Sequence, residues 1–265
     1  MDQESSRDVP ARALFGLRIL SADFNQAMRL LGAAALETGG PARIVVTPNV
    51  DHVVRLERDA PFKARYASAD FIFADGMPIV WASRLLGRPL AQRVTGADLF
   101  VALCRQAAQA RWPVSLVGGQ PGAEAQLQTL FQSVYPGLDI DICCPSMGFD
   151  PLGAEGDRVA ARIRARAPRL VFVCLGLPKQ EQWALRHAAA FPGGVLLCVG
   201  AAMEFALGLR ARAPRWVQGL GAEWLWRLLS DPSHLWRRYL LDDPYFLILC
   251  WREWRRARTT YKDDA

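Results

Sequence analysis

The sequence predicts an α/β fold: a mostly parallel sheet with helices on both faces, followed by a helical C-terminal appendage. Three observations carry this. Six short apolar runs recur between residues 43 and 200, each flanked by Gly, Pro or Asn, and each reads as a strand buried on both faces. The stretches between them carry apolar residues at helical spacing. After Gly208 the strands stop, and the tail collects six of the nine tryptophans, at 216, 224, 226, 236, 251 and 254.

Residues 1–12, MDQESSRDVPAR, are polar and read as a disordered, unpacked N-terminus that lacks the apolar segment of a secretory signal. A helix over 24–36 precedes a strand at 43–47. A strand at 70–74 leads into helices at 78–86 and 97–110. Strand 114–118, helix 123–134, strand 138–143, helix 154–166, strand 170–176, helix 179–190 and strand 195–200 complete the alternation. Strand–helix alternation implies right-handed crossovers and hence a Rossmann-like domain over 13–209. Residues 210–265 read as consecutive helices, with Pro214, Pro232 and Pro244 each suited to a first helical turn. The apolar run at 245–251 is too short to span a bilayer.

The six cysteines, at 104, 143, 144, 174, 198 and 250, form no CxxC pair and no zinc-like cluster. Cys174 and Cys198 sit inside apolar runs, which fits reduced core thiols in a cytoplasmic compartment. Charge is uneven. From Arg210 onward 11 Lys/Arg face 7 Asp/Glu, so +4 of the total +6 lies in the tail. Basic residues among tryptophans suit an anionic membrane surface. A nucleic-acid-binding module is the competing reading, weakened by the small charge excess and by Trp at helical spacing.

In a parallel sheet the strand exits share one edge, where open α/β sheets bind their ligands. Asp75 directly follows the apolar Phe71-Ile72-Phe73 and is therefore a candidate for chemistry, although capping of the next helix accounts for it equally well. Thr47 and Asn49 flank Pro48 at a strand exit, as turn formers or as ligands of sugar hydroxyls. Gly118, Gly119 and Gly176 let backbone N–H groups approach a phosphate. No GxGxxG fingerprint or P-loop occurs, so a nucleotide-type ligand is expected but no nicotinamide or ATP site. Gln180 and Glu181 open a helix behind Pro178, either compensating the helix dipole or holding a polyhydroxyl ligand. The basic residues Arg227, Arg237 and Arg238 read as a solvated face or as diphosphate ligands.

Six blocks resemble the bacterial WecG/TagA/CpsF glycosyltransferases: TPNVDHV at 47–53, ADGMPIVWASRLLGRPLAQRVTGADL at 74–99, LVGGQPG at 116–122, GLPKQE at 176–181, VGAAMEFALGLRARAPRWVQ at 199–218 and EWLWRLLSDPSHLWRRYL at 223–240. The resemblance implies an inverting transfer of a hexose-type sugar (N-acetylmannosamine, its uronic acid or glucose) from a UDP-sugar. The implied acceptor is a polyprenyl-diphosphate-linked saccharide of cell-envelope polysaccharide or exopolysaccharide synthesis. It implies a general base at Asp75, pocket residues at Thr47, Asn49, Arg93 and Gln180, and active-site arginines at Arg227 and Arg237. The membrane-docking appendage, 210–265, would hold the protein to the inner face of the cell membrane.

Glu204 stands in a triplet, Met203-Glu204-Phe205, that usually reads FDF-like, and His234 stands where an arginine is frequent. Glu204 is accordingly the candidate nucleotide contact with one extra methylene. No cofactor and no metal is expected, because the DxD-like Asp139-Ile140-Asp141 lies inside a strand. Arginines and a helix N-terminus then compensate the leaving group. Self-association into a homo-oligomer is left open by the sequence. A non-catalytic UDP-sugar-binding protein is the other alternative, set against the retained Asp75.

Overall fold

Alternation of apolar side chains along short strands builds a sheet with two dry faces. The computed structural model describes residues 9–219 and 221–263, with the side chains of Arg215, His234 and 257–263 outside that description. The strands are β1 Ala11–Leu14, β2 Leu17–Leu20, β3 Arg43–Val46, β4 Phe71–Ile72, β5 Val114–Gly118, β6 Ile140–Cys143, β7 Leu170–Cys174 and β8 Val195–Cys198. The last six form one sheet in the order β4-β3-β8-β7-β5-β6, and every neighbouring pair is parallel.

The helices are α1 Phe24–Leu36, α2 Val50–Arg58, α3 Ala60–Tyr66, α4 Met77–Leu85, α5 Gly96–Ala110, α6 Glu124–Val134, α7 Ala154–Arg164, α8 Lys179–His187 and α9 Ala202–Ala206. Ile44, Val46, Val171, Val173 and Leu196 point to one core with Val54, Ile163 and Trp183 from α2, α7 and α8. Val45, Leu116, Phe172 and Leu197 point to the other, with Leu31, Phe100 and Phe131 from α1, α5 and α6. The alternation of neighbours between two cores is the physical content of the apolar runs.

The first strand begins at Ala11, inside the stretch expected to be unpacked, while residues 1–8 lie outside the described residues. β1 and β2 form an antiparallel hairpin that the apolar-run analysis did not reveal. Its two-residue turn, Phe15-Gly16, has φ of 54° and 77°, the left-handed pair of a type I′ turn. Asn49 and Asp59 cap α2 and α3 through side-chain acceptors, two helices not singled out in the sequence.

The C-terminal segment is helical as expected: α10 Arg215–Gly219, α11 Glu223–Ser230, α12 Pro232–Arg237, a π-helical turn Arg238–Asp242 and α13 Tyr245–Asp263. It is anchored in the α/β core. Phe246 and Leu249 of α13 are buried, the Phe246 ring lies 5.1 Å from that of Phe15, and the Phe15 N–H donates to Glu253 Oε1 at 2.7 Å. Phe246→Ala is therefore expected to cost about 3 kcal/mol of stability, read as a lower denaturant midpoint at unchanged slope.

Among the described residues no helix is long and apolar enough to cross a membrane. The segment nevertheless exposes Trp216, Trp224, Trp236 and Trp251, with Leu229, Leu240, Leu241 and Leu247.

Candidate active site

The carboxyl ends of β4, β3, β8 and β7 open into a cavity of about 670 Å³ that the C-terminal segment covers. Of the residues singled out in the sequence, Thr47, Asn49, Asp75, Arg93, Gly176, Gln180 and Arg227 line it. They come from five separate stretches of chain, brought together because parallel strands deliver their exits to one edge.

Asp75 does not cap the helix that follows it. The cap of α4 is Gly76, which has no side chain to hydrogen bond. The Asp75 Oδ2 instead accepts a long hydrogen bond from the Gly96 N–H at 3.4 Å, at the start of α5. Gly96 is needed at this approach, since a Cβ there would stand 2.9 Å from Thr47 Oγ1 and 3.5 Å from the Val199 Cα. Burial raises the Asp75 pKa to about 6, with the Glu223 carboxylate adding to the rise; Arg93, the Gly96 N–H and His52 oppose it. The result is a carboxylate that is ionised above about pH 6 and more basic than one in water.

One wall is an ion-pair lattice that ties the C-terminal segment to the sheet. Arg93 donates to Glu223 Oε2 at 3.2 Å, and Arg212 Nε lies 3.5 Å from Glu223 Oε1. Arg212 also donates to Asp98 Oδ1 at 2.6 Å. Burial works against ionisation of Asp98, but hydrogen bonds from Arg212 and Thr95 overcome it and leave the pKa below the usual value. Replacing Glu223 with Gln removes the anion beside Asp75, so the acid limb of the pH–rate profile is expected to move below about 6; an unmoved limb in the same measurement would separate the two carboxyls.

The opposite wall carries Arg238, which donates to Asn49 Oδ1 at 3.3 Å and pairs with Asp51 at 3.6 Å and Asp243 at 3.9 Å. Asp51 also accepts from Arg55 at 2.9 Å. Burial raises Asp243 to about 6 against the opposing charge of Arg238. Arg227 lines the cavity too, and its buried Nε has no hydrogen-bond partner among the described residues.

Four expected site residues fall elsewhere. Arg237 is exposed outside the cavity, and its neighbour Arg238 faces in; consecutive helical residues point about 100° apart, so only one of the two can. Gly118 and Gly119 terminate β5, which is separated from β3 and β8 by β7. Their Cα atoms are closed off by Cys174 and by Leu127 and Cys144. Glu204 sits on α9, outside the cavity lining, 3.8 Å from Arg210. The His234 side chain is outside the described residues. Asp139 and Asp141 are held by Arg166 and Arg162 on the far edge of the sheet.

Arg212, Glu223 and His52 are cavity residues that the sequence analysis gave no role, and Arg238, read there as a solvated face or a diphosphate ligand, lines the cavity too. For Arg212 the RARAPRW block was the available signal, because it lies beside a proline-started helix.

A carboxyl group of raised pKa shares its cavity with several guanidinium groups at the carboxyl edge of a parallel sheet, the lining of an enzyme site suited to an anionic substrate. The chain belongs to the WecG/TagA/CpsF family of glycosyl transferases, whose family model matches residues 12–260. Over 218 residues it is 31% identical to the N-acetylglucosaminyldiphosphoundecaprenol N-acetyl-beta-D-mannosaminyltransferase of Bacillus spizizenii, an alignment covering 82% of each chain. The protein is a glycosyltransferase.

Proposed function

We propose that the enzyme moves a hexose-type sugar, with inversion, from a UDP-sugar to a polyprenyl-diphosphate-linked saccharide at a membrane surface. The observation that carries this is the shared cavity of Asp75 with Arg227 and Arg238, beneath a segment that exposes tryptophans and leucines. The acceptor hydroxyl oxygen forms a bond to the anomeric carbon while Asp75 takes its proton. The bond from that carbon to the UDP oxygen breaks, and the electron pair leaves with UDP. Arg227 and Arg238 face the charge that develops there. Thr47, Asn49, Arg93 and Gln180 contact the sugars, and Gly176 gives the backbone room to approach the nucleotide.

Residues 210–265 act as the membrane-associating appendage of the 13–209 catalytic domain. Trp and Leu side chains enter the interface and basic residues meet anionic headgroups on the cytoplasmic face. The relative from Bacillus spizizenii favours N-acetylmannosamine as the first donor sugar to assay. The test is UDP release from UDP-N-acetylmannosamine, its uronic acid counterpart and UDP-glucose with a short-chain prenyl-diphosphate saccharide as acceptor. Acceptor-dependent release supports the reading. Donor binding without release would assign a non-catalytic sugar-nucleotide binder instead.

A further inference from the structure

Behind the cavity wall, Glu181 on α8 is 1% exposed, and its Oε2 has no hydrogen-bond partner among the described residues. A buried carboxylate is costly unless a cation and N–H donors compensate it. The donors around it can be assigned in turn. The Gly200 N–H donates to Gln180 Oε1 at 2.9 Å, which turns the Gln180 amide N–H toward Glu181 Oε1 at 2.8 Å. His52 Nε2 lies 3.5 Å from the same carboxylate oxygen.

At the other end of the imidazole, Asn49 Oδ1 already accepts from the His52 backbone N–H and from Arg238, both at 3.3 Å. His52 Nδ1, 3.0 Å from that oxygen, must therefore carry a proton. Nε2 faces the Glu181 carboxyl oxygen, so a proton on the ring or on the acid lies between them. The ring is thereby set between a buried carboxyl group and the amide oxygen to which Nδ1–H donates. Asn49 Oδ1 is thereby turned inward, and its Nδ2 makes no hydrogen bond among the described residues of the cavity that Asn49 lines.

Building on the transferase reading, we propose that Glu181 and His52 are positioning residues: they lock the Asn49 amide so that its two N–H groups face the substrate. The cavity at this point then recognises a hydrogen-bond acceptor, an oxygen of the bound sugar, and discriminates against a donor there. The imidazole ring is held from three sides: by Glu181 on α8, by Asn49 at the start of its own helix, and by the Tyr66 ring of α3, 6.3 Å away edge-on.

Two measurements on the full chain test this. In ¹⁵N-histidine spectra, assigned with His52→Phe, the His52 ring is expected to show a protonated Nδ1, and Glu181→Gln to shift its signal. A bare Nδ1 in the parent overturns the proposal. Asn49→Asp keeps the α2 cap and the acceptor facing His52 and Arg238 while removing the N–H donors. It is expected to lower kcat/KM by about 10- to 100-fold, mostly through KM, the range for a lost substrate hydrogen bond. Parent-like kinetics overturn the proposal. The spectrum needs no substrate, so a parent that releases no UDP defeats the transferase reading alone and leaves the ring assignment to be decided by the nitrogen shifts.

Discussion

Asp75→Asn is expected to lower acceptor-dependent UDP release by about 100- to 10,000-fold, the range for loss of a positioned general base. The substitution is nearly isosteric. An Asn oxygen can still accept from the Gly96 N–H, so the start of α5 and the approach to Thr47 are kept. What disappears is the proton acceptor. Because burial and Glu223 hold the parent carboxyl at about 6, its rate is expected to rise with pH through that value and level off above it. The Asn variant has no group to titrate there, so its residual rate is expected to lack this limb. Removing one negative charge beside Arg93 also leaves the cavity more cationic, and donor binding by calorimetry is expected to be unchanged or tighter. Weakened donor binding with a parent-like turnover number would move Asp75 from proton transfer to ground-state contact.

The six strands of the main sheet were legible because their apolar residues divide between two cores, even in β6, where Asp141 interrupts the run. The hairpin was not: β1 and β2 have only four residues each, some exposed, and lie next to a polar terminus. Its recoverable signal was the alternation of Leu14, Leu17 and Ile19 around Phe15-Gly16. The cavity divides in the same way. Thr47, Asn49, Asp75 and Gln180 follow from parallel topology, which fixes the edge on which strand exits gather. Topology alone does not fix which strands are neighbours, and that is why Gly118 and Gly119 were included although β5 lies beyond β7.

The tail residues depend on tertiary packing. Arg238 rather than Arg237 faces inward because α12 ends in a π-helical turn that begins at Arg238 and docks against Asp51 and Asp243. Periodicity within the tail carries no information about that docking. Glu223 is equally invisible, and the block around Arg212 does not say where its side chain points, since both roles exist only once the segment folds back over Asp75 and Arg93.

The arginines that line the cavity differ in what they already do, and this separates their expected phenotypes. Arg93 and Arg212 are held by Glu223, and Arg238 by Asp51 and Asp243, so replacing any of them also takes a cation from a partly buried carboxylate. Arg227 is different: its Nε, like those of Arg212 and Arg238, is buried without a hydrogen bond, but among the described residues it has no ion pair, an arrangement that a bound anion would complete. Arg227→Ala is therefore expected to lower the turnover number by about 100- to 1,000-fold, as for loss of one preorganised donor to a leaving group, with little change in the unfolding midpoint. Arg238→Ala should lower both activity and stability, because Asp51 and Asp243 lose their shared cation. Arg227→Lys restores charge but not the planar fork that binds two phosphate oxygens, and partial recovery is the expected outcome. Denaturation curves run beside UDP-release assays distinguish the two arginines, and an Arg227→Ala enzyme with parent-like turnover would remove that residue from leaving-group stabilisation.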